Sequence, residues 1–140
     1  PPVVAAPAPP PAPAPEPARP APPKEYQAND ALKPVYFAFD QATVRPGDAK
    51  ILDASAQWLN SNANYLLLIE GHTDERGTND YNLALGDRRA KAAMNYLVAQ
   101  GVKSDRITIV SYGEERPVCT EHTEACWAKN RRDQFLVKER

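Results

Sequence analysis

Apolar and polar residues alternate along residues 35–39 in the pattern of a β-strand. Valine and two phenylalanines share one face of this segment, which we expect to end at Asp40. Pro46 then opens a segment with apolar residues at helical spacing, so a helix is predicted from there to about 60–62. A continuous apolar run over 65–70 is typical of a second strand that is buried on both faces.

A polar loop and a longer helical pattern occupy the middle of the chain. Residues 71–80 are polar and turn-rich, and a second helix is predicted from Tyr81 to about Gln100. Gly101 is placed to end that helix. The buried stripe of the helix is expected to consist of Ala90, Ala93, Met94 and Leu97.

Three shorter elements complete the predicted fold. They are a strand over 107–110, a short helix around 125–130 and a last strand near 134–137. The order is therefore βαβαββ, with the short extra helix before the last strand. The simplest packing is an α/β arrangement, an α+β sandwich in which two main helices lie on one face of a four-stranded mixed sheet.

The first 23 residues differ in composition from the rest of the chain. Residues 1–23 hold twelve of the fifteen prolines, and seven of the other eleven residues there are alanine. Such a stretch has little to bury and lacks a backbone donor at each proline, so we expect a disordered, polyproline-II-like linker. Residues 24–140 have an ordinary globular composition and are expected to form one domain.

Charge and hydropathy exclude two classes of partner. The formal net charge is −1, which leaves no basic surface of the kind that nucleic acid needs. No apolar run approaches the length that spans a membrane. A linker at the start of the chain suggests that a signal, an anchor or a domain preceded it.

Polar side chains follow the first two predicted strands. Asp40 ends the first strand and the 71–80 loop follows the second, so both open at the same edge of the sheet if the strands are parallel. In the second helix Asn82, Leu85 and Arg89 share one face, which points Arg89 toward that loop.

An aspartate and an arginine at this edge allow two interpretations. Asp74 and Arg89 could flank a cleft for a zwitterion, the aspartate taking an ammonium and the arginine a carboxylate through two hydrogen bonds. Alternatively, they form an ion pair that closes the loop, which is a common arrangement that contributes little stability. Spacing alone favours the ion pair.

Several motifs resemble the C-terminal domain of the outer-membrane protein A (OmpA/MotB) family, and its lipoprotein members most. The resemblance covers roughly residues 32–137. The motifs are Phe-Ala-Phe-Asp at 37–40, Gly-His-Thr-Asp-Glu-Arg-Gly-Thr at 71–78, Tyr-Asn-Leu-Ala-Leu-Gly-Asp-Arg-Arg-Ala at 81–90, Ser-Tyr-Gly-Glu-Glu-Arg-Pro at 111–117 and Asn-Arg-Arg at 130–132.

This resemblance implies a binding module rather than an enzyme. The family binds the diaminopimelate residue of uncrosslinked peptidoglycan stem peptides, and its two signature ligands match Asp74 and Arg89. Neither a catalytic residue nor a cofactor is expected. The other positions carried over are Phe39 and Asp40 at the pocket wall, with Asn82 and Leu85 at neighbouring positions.

The resemblance also implies a location and partners. It places the chain in the periplasm of a Gram-negative bacterium, held to the outer membrane by an upstream lipid anchor. A TolB-like periplasmic β-propeller is the expected protein partner, in a Tol-Pal-like envelope system. The alternative is the peptidoglycan-binding domain of an outer-membrane porin or of a flagellar stator.

A hydrolase or metal site is the competing interpretation of the same loop. His72, Asp74, Glu75 and Asp40 could form such a cluster, but only one histidine is local and no nucleophile motif accompanies it. We therefore expect His72 to be a loop residue that hydrogen-bonds within its own turn.

Cys119 and Cys126 lie close together near the C-terminus. A disulfide suits an oxidising compartment and is the favoured state. Free thiols, or a metal site that includes His122, are the alternatives. Neither cysteine is a general feature of the family.

The end of the chain departs from the family pattern. An apolar strand usually follows the Asn-Arg-Arg motif, but here Asp133 and Gln134 intervene, which moves the expected start of the last strand. Arg131 and Arg132 are expected to make structural pairs or to face solvent.

Overall fold

The computed structural model describes residues 25–140 of the chain. The predicted linker over 1–23 lies outside the described residues. Within the described part, no helix is both long enough and apolar enough to cross a membrane.

Five strands and three helices make up the described domain, together with a single turn of 3₁₀ helix at Ser104–Arg106. In chain order they are β1 (Gln27–Ala28), β2 (Val35–Tyr36), α1 (Pro46–Ser61), β3 (Tyr65–His72), α2 (Asn79–Ala99), β4 (Ile107–Gly113), α3 (Glu124–Asn130) and β5 (Arg132–Glu139).

The strands form one mixed sheet in the order β1-β5-β3-β4, with β2 also paired to β5. β3 and β4 are parallel, whereas β5 runs antiparallel to β1, β2 and β3. The predicted mixed sheet and element order are therefore confirmed, with one strand more than expected. β1 escaped the sequence pattern because its two residues are both exposed and make no apolar run.

The core lies between the helices and one face of the sheet. Leu52 and Leu59 of α1 and Leu97 of α2 pack against alternate strand residues such as Ile69 and Phe135. The intervening strand residues form a smaller cluster on the other face, and no helix residue belongs to it. Both main helices thus cover the same face, as predicted.

The first predicted strand is shorter than its apolar pattern. It leaves the sheet after Tyr36, and the chain then turns so that the Gln41 N–H donates to the Ala38 carbonyl at 3.1 Å. Phe37 stays buried, but Phe39 is 52 % exposed and does not share the buried face. The prediction that Phe39 belongs to a strand was wrong, because the chain forms a turn there and makes no strand-to-strand hydrogen bonds with β5.

The other strands are longer than predicted. β3 extends through His72, β4 through Gly113 and β5 begins at Arg132. The extra residues are mostly polar, and some of them pair on the face without helices, for example His72 with Glu70. Apolar patterning could not find them. The prediction that His72 is a loop residue bonded within its own turn was wrong, and so was the later start of the last strand.

Two glycines let α2 pack closely on β3. A Cβ at Gly71 would lie 1.8 Å from the carbonyl oxygen of Gly86, and a Cβ at Gly86 would lie 2.3 Å from Ser111 Oγ. Only residues without side chains allow this approach. It brings the first half of α2 onto the carboxyl end of β3.

Candidate functional site

A pocket of about 250 Å³ opens where α2 meets the ends of β2 and β3. All six residues predicted for the site line it. The lining consists of Phe39, Asp40, Thr73, Asp74, Arg76, Gly77, Tyr81, Asn82, Leu85 and Arg89.

Strand direction explains why these residues meet. β2 and β3 both run antiparallel to β5, so they point the same way and their carboxyl ends share one edge of the sheet. Thr78 caps α2 at that edge by accepting a hydrogen bond from the Tyr81 N–H. The predicted common edge for Asp40 and the loop after β3 is therefore confirmed.

Arg89 is completely buried and donates to three backbone carbonyls. Its Nε donates to Gln41 at 2.8 Å, Nη1 to His72 at 2.9 Å and Nη2 to Ala38 at 3.1 Å. A guanidinium has five N–H groups, so two remain beyond these bonds. Burial lowers the pKa of Arg89 to about 10, and the nearby carboxylates of Asp133 and Asp74 oppose that shift.

Asp74 is also buried, but its carboxylate is paired with arginines other than Arg89. Oδ2 lies 2.8 Å from Arg76 Nη2 and 3.5 Å from Arg131 Nη1. Oδ1 accepts from the Arg76 N–H at 3.0 Å. Burial alone would raise the pKa of Asp74, yet the hydrogen bonds from Arg76 and Arg131 outweigh it and the pKa is lowered. The alternative of a direct Asp74–Arg89 ion pair was wrong.

Arg76 was not singled out from the sequence. Its guanidinium carbon lies 3.9 Å from the centre of the Phe39 ring and 4.1 Å from that of Trp127, so the side chain is held between two aromatic faces. This stack puts Arg76 beside the Asp74 carboxylate. No local pattern could reveal it, because Phe39, Arg76 and Trp127 come from three distant parts of the chain.

The segment closed by the Cys119–Cys126 disulfide packs against the same loop. The disulfide confirms the favoured state of the two cysteines. Glu75 accepts from the Trp127 ring N–H at 2.8 Å and contacts His122. His122 is therefore paired with a carboxylate. Through these contacts the stapled segment holds the loop that carries Asp74.

Arg131 and Arg132 are both buried structural residues. Arg131 donates to the Phe37 carbonyl at 2.8 Å and pairs with Glu124 at 2.8 Å. Arg132 donates from Nε to Gln134 at 3.0 Å. The structural-pair interpretation is confirmed over exposure to solvent, with the addition that Arg131 also reaches Asp74.

Asn82 and Leu85 lie on the pocket side of α2. Asn82 Nδ2 donates to the Arg76 carbonyl at 3.1 Å and to Glu114 Oε1 at 2.6 Å, so it joins α2 to the loops after β3 and β4. Leu85 is buried and contributes an apolar surface. Asn82 therefore braces the site, and Leu85 gives it an apolar wall.

The turn after β2 forms the opposite wall. Asp40 adopts a positive φ of 59°, a conformation that aspartate tolerates, and its carboxylate accepts from the Tyr81 hydroxyl. The backbone N–H groups of Phe39 and Asp40 donate to no other described residue. They are available to a bound molecule.

The competing hydrolase or metal cluster does not assemble. His72 lies in β3 on the face away from the helices, and burial lowers its pKa, which keeps the ring neutral. Over residues 25–140, no group of three or more His, Cys, Asp or Glu is placed to hold a metal ion. What the pocket offers is a buried cation, a buried carboxylate and free backbone donors around an apolar wall, which suits a small zwitterion.

The sequence profile described as the OmpA family matches residues 36–131. Among curated proteins, the peptidoglycan-associated lipoprotein of Pseudomonas putida is 50 % identical over 108 residues, which is 77 % of this chain and 64 % of that protein. That of Pseudomonas aeruginosa is 50 % identical over 102 residues, 73 % of this chain and 60 % of that protein. The chain thus spans less than two thirds of the length of these relatives.

Solved structures show the same fold. The crystal structure of the peptidoglycan-associated lipoprotein from Burkholderia pseudomallei has a TM-score of 0.73 at 44 % identity, and the match covers 75 % of this chain and 89 % of that one. The C-terminal domain of Helicobacter pylori MotB gives a TM-score of 0.72 at 18 % identity, covering 78 % of this chain and 86 % of that one. The latter likeness concerns the fold alone.

Proposed function

Because this chain belongs to the OmpA family, we propose that it binds peptidoglycan non-covalently through the pocket beside α2. The proposed ligand is the diaminopimelate residue of a stem peptide. The curated relatives at 50 % identity are named peptidoglycan-associated lipoproteins, which supports this ligand class. The role of the domain is to tether the outer membrane to the cell wall, without catalysis.

The observation that carries the proposal is the fixed position of Arg89. Three backbone carbonyls hold its guanidinium, so its orientation is set before any ligand arrives. A planar guanidinium recognises a carboxylate through two parallel hydrogen bonds. The two N–H groups that remain, together with those of Phe39 and Asp40, form the proposed receptor for the ligand's carboxylate.

Asp74 is the proposed partner of the ligand's ammonium. Its lowered pKa keeps the carboxylate charged at neutral pH. Without ligand, Arg76 pairs with the Asp74 carboxylate, and the Arg76 side chain is 32 % exposed. Arg131, which also contacts Asp74, is buried. Arg76 therefore shifts or shares Asp74 when the ammonium enters, while Arg131 keeps Asp74 in place.

Calorimetry with matched stem peptides tests the proposal. Lysine lacks the second carboxylate of diaminopimelate at the centre that carries the free ammonium. Each hydrogen bond to a charged group contributes about 1.5–3 kcal/mol. Without the second carboxylate, the desolvated Arg89 is also left unpaired. The lysine peptide is therefore expected to bind at least roughly a hundredfold more weakly, because each loss of about 1.4 kcal/mol in binding free energy lowers affinity tenfold.

Two aspartate variants make a matched pair for the same measurement. Asp74→Asn removes the charge at the proposed ammonium site and is expected to reduce affinity at least about tenfold. Asp87→Asn removes a half-exposed charge on α2 whose partner is Lys91, and it should leave affinity unchanged. Equal affinity for the two peptides, or an Asp74→Asn protein that binds like wild type, would contradict the proposal.

The location and the protein partner follow from the same proposal. A peptidoglycan-binding lipoprotein acts in the periplasm at the outer membrane, with its anchor upstream of the described domain. The higher identity to the lipoproteins favours this assignment over a porin or stator domain. A TolB-like β-propeller is the proposed partner at the pocket end. It should compete or couple with stem peptide in a titration, and a cognate propeller that does not bind would favour the alternative.

A further inference from the structure

Asp133 is a fully buried carboxylate without a hydrogen-bond partner. Its exposed fraction is 0 %, and neither Oδ1 nor Oδ2 has a partner within the described part of the chain. Burying a charged carboxylate without compensation is costly, and proteins avoid the cost by protonating the group. Asp133 takes no part in the ligand binding proposed for Arg89 and Asp74.

The position of Asp133 places it behind the pocket. It pairs in register with Val35 of β2 and Gly71 of β3, the two strands whose ends form the pocket edge. By strand alternation its side chain points to the same face as Phe135, which belongs to the helix-side core. Asp133 therefore faces the layer that holds Arg89, on the sheet side of that guanidinium.

Arg89 is the charged group that acts on Asp133 among the described residues. The charges of Asp133, Asp74 and Asp40 stabilise the charged form of Arg89 and raise its pKa. The charge of Arg131 lowers that pKa. Asp74 and Asp40 line the pocket, whereas Asp133 does not. The guanidinium thus has one carboxylate behind it that no arginine neutralises through a hydrogen bond.

We propose that Asp133 is a proton-binding positioning residue, which takes up a proton when the carboxylate of a ligand reaches Arg89. When Asp133 is charged, its negative charge offsets part of the attraction between the Arg89 guanidinium and the ligand's carboxylate. When Asp133 is neutral, the whole charge of Arg89 is directed at the pocket. This inference rests on the proposed function, because it requires that the ligand bring a carboxylate to Arg89.

The direction of the effect follows from linkage. Burial raises the pKa of Asp133 well above its ordinary value, and Arg89 partly opposes the shift. A second negative charge beside Arg89 raises that pKa further. Ligand affinity is therefore highest below the pKa of the free protein, falls as pH rises through it, and levels off above the pKa of the complex.

Calorimetry in buffers of different ionisation enthalpy measures the protons taken up per ligand bound. The probe is the diaminopimelate stem peptide, titrated from pH 5.5 to 8.5 into wild type and Asp133→Asn, since asparagine mimics the neutral carboxyl. Wild type should take up protons, and its affinity should fall about tenfold for each unit by which ligand raises the pKa. Asp133→Asn should bind with affinity that is constant within about twofold and with less proton uptake.

Other groups that titrate in this range need a control. His122 is exposed and paired with Glu75, and its pKa is raised. Both proteins are therefore also measured with His122→Asn, which removes that proton from the count. Carboxyl-carbon NMR of Asp133 in wild type, with and without ligand, provides a reading that needs no variant and should show the pKa rising on binding.

The outcomes separate the two proposals. Wild type that binds with the same proton uptake and pH dependence as Asp133→Asn overturns the role of Asp133 and leaves the proposed function standing. An NMR titration in which ligand does not move the pKa of Asp133 has the same meaning. If wild type binds no stem peptide at any pH, the proposed function fails, and the inference fails with it.

Discussion

At the scale of single residues, Arg89 joins three parts of the chain that lie far apart in sequence. Its side chain reaches from α2 to the carbonyls of Ala38 and Gln41 in the turn after β2, and to that of His72 at the end of β3. The same residue that is proposed to bind ligand therefore also holds the pocket together. Removing it alters both the fold and the site.

Arg89→Lys is expected to destabilise the domain while keeping its charge. The ammonium of a flexible lysine side chain cannot donate to all three carbonyls that the planar guanidinium reaches. Each buried carbonyl left without a donor costs about 1–3 kcal/mol. We expect a loss of about 2–3 kcal/mol in the free energy of unfolding, measured by urea denaturation. Stem-peptide binding should weaken as well.

Arg88→Lys is the matched control. Arg88 is the adjacent residue on α2, is exposed and lies over the Tyr81 ring with its guanidinium carbon 5.7 Å from the ring centre. The same substitution there should change the free energy of unfolding by less than about 0.5 kcal/mol. If both variants unfold alike, the three carbonyl bonds of Arg89 contribute no measurable stability.

At the scale of elements, the disulfide-closed segment and α3 support the loop that carries Asp74. Thr123 caps α3 by accepting from the Cys126 N–H at 3.2 Å, and Trp127 of α3 stacks on Arg76. Glu124 of the same helix pairs with Arg131. The disulfide-closed segment and α3 therefore support the pocket through Arg76 and Arg131, although neither element lines the pocket.

Reduction of the disulfide is expected to lower stability and loosen the pocket. The bridge joins residues seven apart in sequence, and closing so short a loop contributes about 2.5 kcal/mol by the chain-entropy argument. Urea unfolding with and without reductant measures this. A protein with both Cys119→Ser and Cys126→Ser should be insensitive to reductant and should resemble reduced wild type. Equal stability of oxidised and reduced wild type would refute the expectation.

The contact between α2 and β3 depends on glycine. Gly86→Ala would place a methyl group 2.3 Å from Ser111 Oγ and 2.9 Å from the Gly71 carbonyl. Overpacking of this kind costs about 1–3 kcal/mol. It should also displace the face of α2 that carries Arg89, so thermal denaturation and stem-peptide affinity should both show a loss.

Gly47→Ala provides the comparison for the same substitution. Gly47 lies in the first turn of α1, and a Cβ there would meet nothing within 4 Å. Alanine in a helix is favoured over glycine by about 0.5–1 kcal/mol, so this variant should be neutral or more stable. An equal loss at both positions would mean that the close approach of α2 is not the cause.

At the scale of the whole molecule, two buried carboxylates respond to pH in opposite ways. The folded pKa of Asp133 is raised, so its charged form opposes folding above the unfolded value near 3.8, and the penalty disappears as pH falls toward that value. The folded pKa of Asp74 is lowered, so its contribution is present above the unfolded value and is lost as pH falls through the folded pKa.

Asp133→Asn is therefore expected to gain stability relative to wild type as pH rises. The difference in free energy of unfolding should be smallest near pH 3.8, grow by at most about 1.4 kcal/mol per pH unit and become constant above the folded pKa. Urea unfolding from pH 4 to 8 measures it. Comparing the two proteins cancels the titration of His72, which both contain. A difference that is constant across this range would show that Asp133 is charged throughout.

The residues that line the pocket show which parts of the site the sequence could predict. The spacing of Asn82, Leu85 and Arg89 placed them on one helix face, and strand order placed Asp40 at the same edge as the loop carrying Asp74. Patterning works here because helical and strand periods fix which side chains share a face. It failed for Phe39, whose alternation with Val35 and Phe37 ended in a turn rather than in a strand.

The sequence by itself determined the order of the helices and main strands and the helix face of Arg89, and it favoured the linkage of Cys119 with Cys126, which the structure confirms. These depend on local periodicity or on short separations along the chain. Only the tertiary structure decided that Asp74 pairs with Arg76 and Arg131, that Arg76 lies between Phe39 and Trp127, and that Asp133 is buried behind Arg89. Such contacts join segments far apart in sequence, and their energies depend on burial and distance, which no local pattern encodes.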